Sequence, residues 1–178
     1  LPQGYNQIVS ELAMLHWRVD GQWPTPLIVL APCGGYRPGL GPYHAQTMDG
    51  TFAHVPGLDV FMPSTAADAA GLLRAAFRSA RPTLLLYPKA LLNSAAHASP
   101  IDAATHLVPL GVSRRVRSGR DLTLVGWGNT VALCERAAVA LEAAGADAEV
   151  IDLRSLSPWD HKAVVASAER TRRLIVVH

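Results

Sequence analysis

Residues 121–153 read DLTLVGWGNTVALCERAAVALEAAGADAEVIDL, and they decide the fold. Leu122 to Trp127 is a short apolar run with the signature of a buried strand. Asn129 to Ala144 carries apolar residues at helical spacing, and Gly145 ends it. Ala148 to Leu153 predicts a second strand. Downstream, Ser157-Pro158-Trp159-Asp160 predicts a helix start, with Ser157 as N-cap and Pro158 at the first helical position. Leu174 to Val177 predicts a third strand. Strand, helix, strand, helix, strand with short connections means right-handed crossovers and a parallel sheet.

The sequence before residue 121 repeats the same grammar. Ile8, Leu12, Leu15 and Val19 sit at helical spacing within Gly4 to Val19. Pro26 to Ala31 reads as a short buried strand, and Pro32 to Pro42 as a glycine- and proline-rich loop. Leu58 to Met62 is a further strand. A helix from Ala66 to Arg78 follows, with Thr65 and Asp68 spaced like a capping box. Thr83 to Tyr87 is another buried strand. From Leu91 to Gly119 the periodicity fades and Ala, Ser, Pro, Arg and Gly accumulate. The chain therefore divides into an α/β unit over residues 1–95, an interdomain linker over 96–119 and a second α/β unit over 120–178.

Composition narrows the function classes. Hydrophobic residues make up 49% of the 178-residue chain and charged residues only 17%, a charge-poor surface of the kind that a partner covers. A net charge of +2 argues against nucleic acid as a partner. The densest basic group, Arg114, Arg115, Arg117 and Arg120, reads as a solvated linker. Cys33 and Cys134 form no CxxC pair, so neither zinc nor a disulfide framework is signalled, and Cys134 falls on the apolar stripe of its helix as an inert thiol. No signal-peptide pattern and no apolar run of about 20 residues is present, so the expectation is a cytoplasmic protein with no membrane contact.

The segment with the least structural look is Gly34-Gly35-Tyr36-Arg37-Pro38-Gly39-Leu40-Gly41-Pro42-Tyr43-His44-Ala45-Gln46. Glycines let backbone approach a ligand, and the loop delivers an imidazole, a group able to donate or accept a proton, with an aromatic and an amide beside it. Other patterns are weaker. The glycines do not form GxGxxG, and Gly126 and Gly128 read as a tight strand-to-helix turn. No G-x-S-x-G elbow supports a hydrolase. His16, Glu11 and Asp20 lack the HExxH order of a zinc site, so no metal is assigned; His54 reads as a turn anchor.

Read together, Gly39-Leu-Gly-Pro-Tyr-His-Ala-Gln46, Phe52-Ala-His-Val-Pro-Gly-Leu58, Met62-Pro-Ser-Thr65 and Tyr87-Pro-Lys89 resemble the pyrimidine-binding domain of thiamine-diphosphate-dependent 2-oxo acid dehydrogenase beta subunits, the pyruvate and branched-chain enzymes. Asp121 to Gly128 and Glu149 to Asp160 resemble the start of that family's C-terminal domain. Leu153-Arg-Ser-Leu-Ser-Pro-Trp-Asp160 points to the dehydrogenase branch rather than to transketolase itself. The resemblance runs in order through essentially the whole chain. It implies a transketolase-like parallel-sheet pyrimidine domain, partial, followed by the beginning of a transketolase C-terminal-type domain.

What the resemblance implies about function is specific. The family decarboxylates a 2-oxo acid on thiamine diphosphate and passes the acyl group to lipoyl. Its partners are an alpha subunit that holds the diphosphate and magnesium, a second beta subunit, and a lipoyl-bearing acyltransferase. His44 matches the family's active-site histidine, with Tyr43 and Gln46 on the same loop. The cofactor-activating Glu and the aromatic that stacks on the pyrimidine belong to segments upstream of Leu1, so this chain is expected to be inactive alone. Because the family buries this charge-poor surface in a beta-beta contact, it is also expected to self-associate. Ser79 and Arg81 stand where the family carries acidic and Asn ligands for potassium, and Tyr87 replaces a common Glu. The alternative is a truncated, non-catalytic relative acting as an assembly module.

Overall fold

The computed structural model describes residues 1–99, 102 and 104–178; residues 100, 101 and 103 of the expected linker lie outside the described residues. Two four-stranded sheets organise the chain. The first has the order β1-β3-β2-β7, from β1 (Ile28–Cys33), β2 (Asp59–Phe61), β3 (Thr83–Pro88) and β7 (Ser155–Ser157). The second has the order β4-β6-β5-β8, from β4 (Arg114–Arg117), β5 (Leu122–Gly126), β6 (Ala148–Asp152) and β8 (Leu174–Val176). Parallel pairing joins β1 to β3 and β3 to β2, and likewise β6 to β5 and β5 to β8. The parallel sheets expected from strand-helix alternation are present. Each also carries one antiparallel strand at an edge, β7 on β2 and β4 on β6.

The period-2 pattern of β3 explains the first core. Leu84 and Leu86 point to one face, where Ile8, Phe52, Val55, Leu58 and Val60 are buried with them. Leu85 points to the other, against Leu72 and Ala76 of α4 (Ala66–Arg78), with Phe61 and Val108. The capping-box reading of α4 holds in part. Thr65 accepts a hydrogen bond from the Asp68 amide at 3.1 Å, but the Asp68 carboxylate accepts from the Thr65 hydroxyl rather than from its backbone N–H. In the second half, β5 and β6 are sandwiched between α5 (Thr130–Ala143), which buries Cys134 and Ala138, and α6 (His161–Thr171), which buries Val164.

Several expectations are corrected. The first helix is wound in two styles, a π-helical stretch Gln7–Leu12 running into α1 (Ala13–Arg18). The widened turn puts Ala13, five residues after Ile8, on the buried face. β1 is an edge strand rather than a buried one, and Leu30 is 53% exposed. The basic group is solvated only in part: Arg115 and Arg120 are exposed, but Arg114, Arg115 and Arg117 lie on β4 and pair with Asp152, Glu149 and Glu142. Ser157 does not cap α6, because it is paired with Val60 in β7; Asp160 caps instead, its carboxylate accepting from the Ala163 amide at 3.2 Å. The Gly126 and Gly128 turn is as expected: a Cβ on Gly126 would meet the Thr130 hydroxyl at 2.9 Å, and Gly128 has φ +53°.

The two halves are locked by buried charge. Arg154, at φ +60°, donates to Asp68 at 2.9 Å and to the carbonyls of Val112 and Ser113. Arg114 reaches Asp152 at 3.1 Å and Asp68 at 3.3 Å, while the Ser64 hydroxyl donates to Asp152 at 2.5 Å. Burial pushes the Asp152 carboxyl above the usual carboxylate range, with Ser64 and Arg114 acting the other way.

Candidate functional site

β1 and β3 run side by side in parallel, so their C-terminal ends finish at the same edge of the sheet, Cys33 opposite Pro88. Open α/β sheets bind ligands at that edge, where loops leave the strands. The loop that leaves β1 carries the glycine-rich segment, and it turns through α2 (Gly41–His44) before reaching α3 (Asp49–Ala53). Between loop and strands lies a cavity of about 260 Å³. Ala31, Pro32 and Cys33 of β1 and Leu86 of β3 form its floor, Tyr43, His44 and Gln46 its rim, and Leu1 to Gln3 its far side. The structure therefore brings together the three loop residues singled out by sequence, His44, Tyr43 and Gln46. His44 is exposed at the rim, its ring edge-on to Tyr43 with centroids 5.4 Å apart.

Two residues of this cavity were not singled out as site residues by the sequence. Lys89, one residue past β3, lines it and donates to the backbone carbonyl of His44. Cys33 is only 2% exposed, and burial first, then the nearby Asp49 carboxylate, push its thiol up to about 12 against the opposing pull of Lys89. A thiol held neutral in this way packs as a wall and does not attack. Asp49, 1% exposed, forms the link from the cavity to the other half of the chain. It accepts a 2.7 Å hydrogen bond from the Trp127 indole and lies 3.1 Å from His178 Nε2, whose ring rests against Trp127. A lone Asp in a stretch without periodicity looks like any polar loop residue; only the fold shows what it holds.

The remaining sequence candidates do not converge on this site. Glu11 pairs with Arg18 at 2.7 Å on the first helix, and His16 lies 3.4 Å from the Trp23 carbonyl. His54 is the C-cap of α3. Among the described residues no group of three or more His, Cys, Asp or Glu is placed to hold a metal ion. Ser79 and Arg81 do not fit a potassium site. The Arg81 guanidinium brings its own positive charge to Asp59 at 2.9 Å, and Ser79 accepts from the Arg81 amide.

The cavity lining combines apolar side chains with one imidazole, one amide and one ammonium near its mouth. No Asp or Glu is among the residues that line it. A group that must be deprotonated there needs its carboxylate from elsewhere.

Comparison with known proteins agrees with this fold. Residues 6–94 match the transketolase pyrimidine binding domain, and residues 111–178 match the transketolase C-terminal domain. The chain is 38% identical over 176 residues to the mitochondrial 2-oxoisovalerate dehydrogenase subunit beta of Dictyostelium discoideum, covering 98% of this chain and 47% of that protein. It is 37% identical to the 2-oxoisovalerate dehydrogenase subunit beta of Bacillus subtilis (97% and 52% covered). It is 35% identical to the pyruvate dehydrogenase E1 component subunit beta of Acholeplasma laidlawii (98% and 52% covered). The chain thus spans about half the length of the curated relatives it matches. Among solved structures, a split-gene transketolase determined as an inactive beta4 tetramer shares the fold, with a TM-score of 0.78 at 21% identity over 98% of this chain and 52% of that one. The chain belongs to the transketolase family, carrying its pyrimidine-binding domain followed by its C-terminal domain.

Proposed function

We propose that this chain is the part of a 2-oxo acid dehydrogenase beta subunit that forms one wall of a thiamine-diphosphate site. In this reading the complete assembly decarboxylates a 2-oxo acid and transfers the acyl group to a lipoyl arm. The observation that carries it is the cavity at the C-terminal ends of β1 and β3, with His44, Tyr43 and Gln46 at its mouth. The relatives' identity as dehydrogenase beta subunits supplies the reaction class.

When bound, thiamine diphosphate supplies the carbanion that adds to a 2-oxo group and takes up the electrons left by carbon dioxide. This chain's own residues do the rest of the work assigned to its wall. Ala31, Pro32, Cys33 and Leu86 exclude water from one face of a ring. The neutral Cys33 thiol adds no charge there. The His44 imidazole sits at the rim, where a proton can be given to or taken from an oxygen or sulfur atom of the reacting acyl group. The diphosphate with its magnesium, and the carboxylate that activates the pyrimidine, come from a partner alpha subunit and from other beta-subunit sequence. A second beta subunit covers the charge-poor outer face.

The test is to express the full reading frame with a 2-oxo acid dehydrogenase alpha subunit from the same genome. Carbon dioxide release from pyruvate and from branched 2-oxo acids is then followed with an artificial electron acceptor, and acyl transfer with a lipoyl domain. The expected result is turnover that requires both subunits, with His44→Ala lowering lipoyl acylation by roughly 10²-fold or more. Normal acylation by the His44→Ala assembly would overturn the role of His44. Absence of decarboxylation in the wild-type assembly would favour a non-catalytic relative.

A further inference from the structure

The loop that presents His44 is rich in glycine. Gly34, Gly39 and Gly41 all have positive φ (+74°, +87° and +66°), and a Cβ on Gly39 or Gly41 would meet open space. Such backbone loses much conformational freedom when it is ordered. Its base is closed by one backbone bond, from the Gly34 amide to the Gln46 carbonyl at 3.1 Å. Its tip is not held by β1, which has already ended at Cys33.

Lys89 reaches into that tip from the opposite side. It follows Pro88, the last residue of the central strand β3, so the root of its side chain is fixed by the sheet. Its ammonium donates to the carbonyl of His44, the last residue of α2. Carbonyls in the last turn of a helix have no partner within the helix, and a cation there satisfies both the missing donor and the dipole. The same ammonium lies 5.6 Å from the ring centroid of Tyr36, on the outgoing limb of the loop, where Arg37 also approaches at 5.3 Å. One side chain thus touches both limbs, Tyr36 on the way out and His44 on the way back.

We propose that Lys89 is the positioning residue of the His44 site, holding the glycine-rich loop closed by capping the His44 carbonyl and seating against the Tyr36 ring. Its importance for the reaction rests on the reading of His44 given above; the clamp itself does not.

Hydrogen exchange by mass spectrometry on the full chain tests the clamp without any cofactor or activity. Lys89→Met keeps the stem and removes the charge and the donor. The expected result is roughly tenfold faster exchange of the 34–46 amides, with β5 and β6 unchanged, and recovery in Lys89→Arg, whose guanidinium can donate and stack. Carbethoxylation of His44 should accelerate in parallel in Lys89→Met and recover in Lys89→Arg. Unchanged exchange over 34–46 in Lys89→Met would overturn the proposal, as would failure of Lys89→Arg to restore it. Should Lys89→Met loosen β5 and β6 as well, Tyr36→Leu decides: faster exchange confined to 34–46 supports the clamp, and unchanged exchange there overturns it. An assembly in which His44→Ala acylates lipoyl normally would sink the role of His44 while leaving these exchange rates standing.

Discussion

The seam between the two halves and the His44 loop are opposite solutions to holding polar groups in place. At the seam, Asp68 and Asp152 are buried and each is met by more than one donor, so each carboxylate is held from several directions at once. At the loop, glycines with positive φ are tied at the base by one backbone bond and at the tip by Lys89. The seam fixes geometry; the loop presents side chains to a cavity from an exposed rim. Binding and catalytic groups are commonly carried on such segments above a rigid frame, and this chain separates the two roles cleanly.

The sharpest way to break the contrast is at Arg154, whose side chain is only 10% exposed. Arg154→Met leaves the Asp68 carboxylate with the Thr65 hydroxyl and a longer contact to Arg114, and strands two backbone carbonyls. The expected loss is about 3–5 kcal/mol in urea unfolding; a loss under about 1 kcal/mol would show that the seam is not what locks the halves. Trp127→Phe is the milder cut. It removes the indole donor from the buried Asp49 while keeping the ring, and should cost about 1–3 kcal/mol by the same measurement.

A pH series sharpens the comparison between the loop's base and the second core. Cys33 and Cys134 have thiols raised from 9.0 to about 12 and about 11, chiefly by burial. The folded chain therefore keeps both protonated where the unfolded chain has begun to ionise them. Their contribution is fully present below pH 9.0 and is lost as pH rises toward the folded values. Stability should fall by up to about 1.4 kcal/mol per thiol per pH unit in that window. Replacing both cysteines by alanine should flatten the slope, and an unchanged slope would contradict the assignment. The smallest effect is expected at His44, exposed on its loop: His44→Ala should leave unfolding free energy within about 0.5 kcal/mol of wild type.

Much of this organisation was legible in the sequence, for physical reasons. Hydrophobic runs such as Thr83 to Tyr87 and Ala148 to Leu153 sit in sheets covered on both faces, so their composition alone marked them as strands. The α4 boundary was legible because its cap is local, Thr65 to the amide three residues on. The misread pieces depend on distant partners. Arg114, Arg115 and Arg117 look like solvent-seeking charge until Asp152 and Glu149 of β6 and Glu142 of α5 come beside them. Ser157 and Pro158 have good N-cap chemistry, but Val60 claims Ser157 for a strand. At the site, His44, Tyr43 and Gln46 were found because they share one loop. Lys89 was not, because only tertiary structure brings it to that loop. Cys33 and Asp49 flank the loop in sequence, but their burial and the Asp49 partners Trp127 and His178 come only with the fold.

The central claim is that the His44 cavity is a cofactor wall completed by another chain. Its most direct test is the rate at which diethyl pyrocarbonate modifies His44, read by mass spectrometry in the full-length assembly with an alpha subunit, with and without thiamine diphosphate. Thiamine diphosphate with magnesium should slow modification of His44 by roughly tenfold or more, and leave the exposed His16 unchanged. Equal rates at His44 with and without the cofactor would contradict the account.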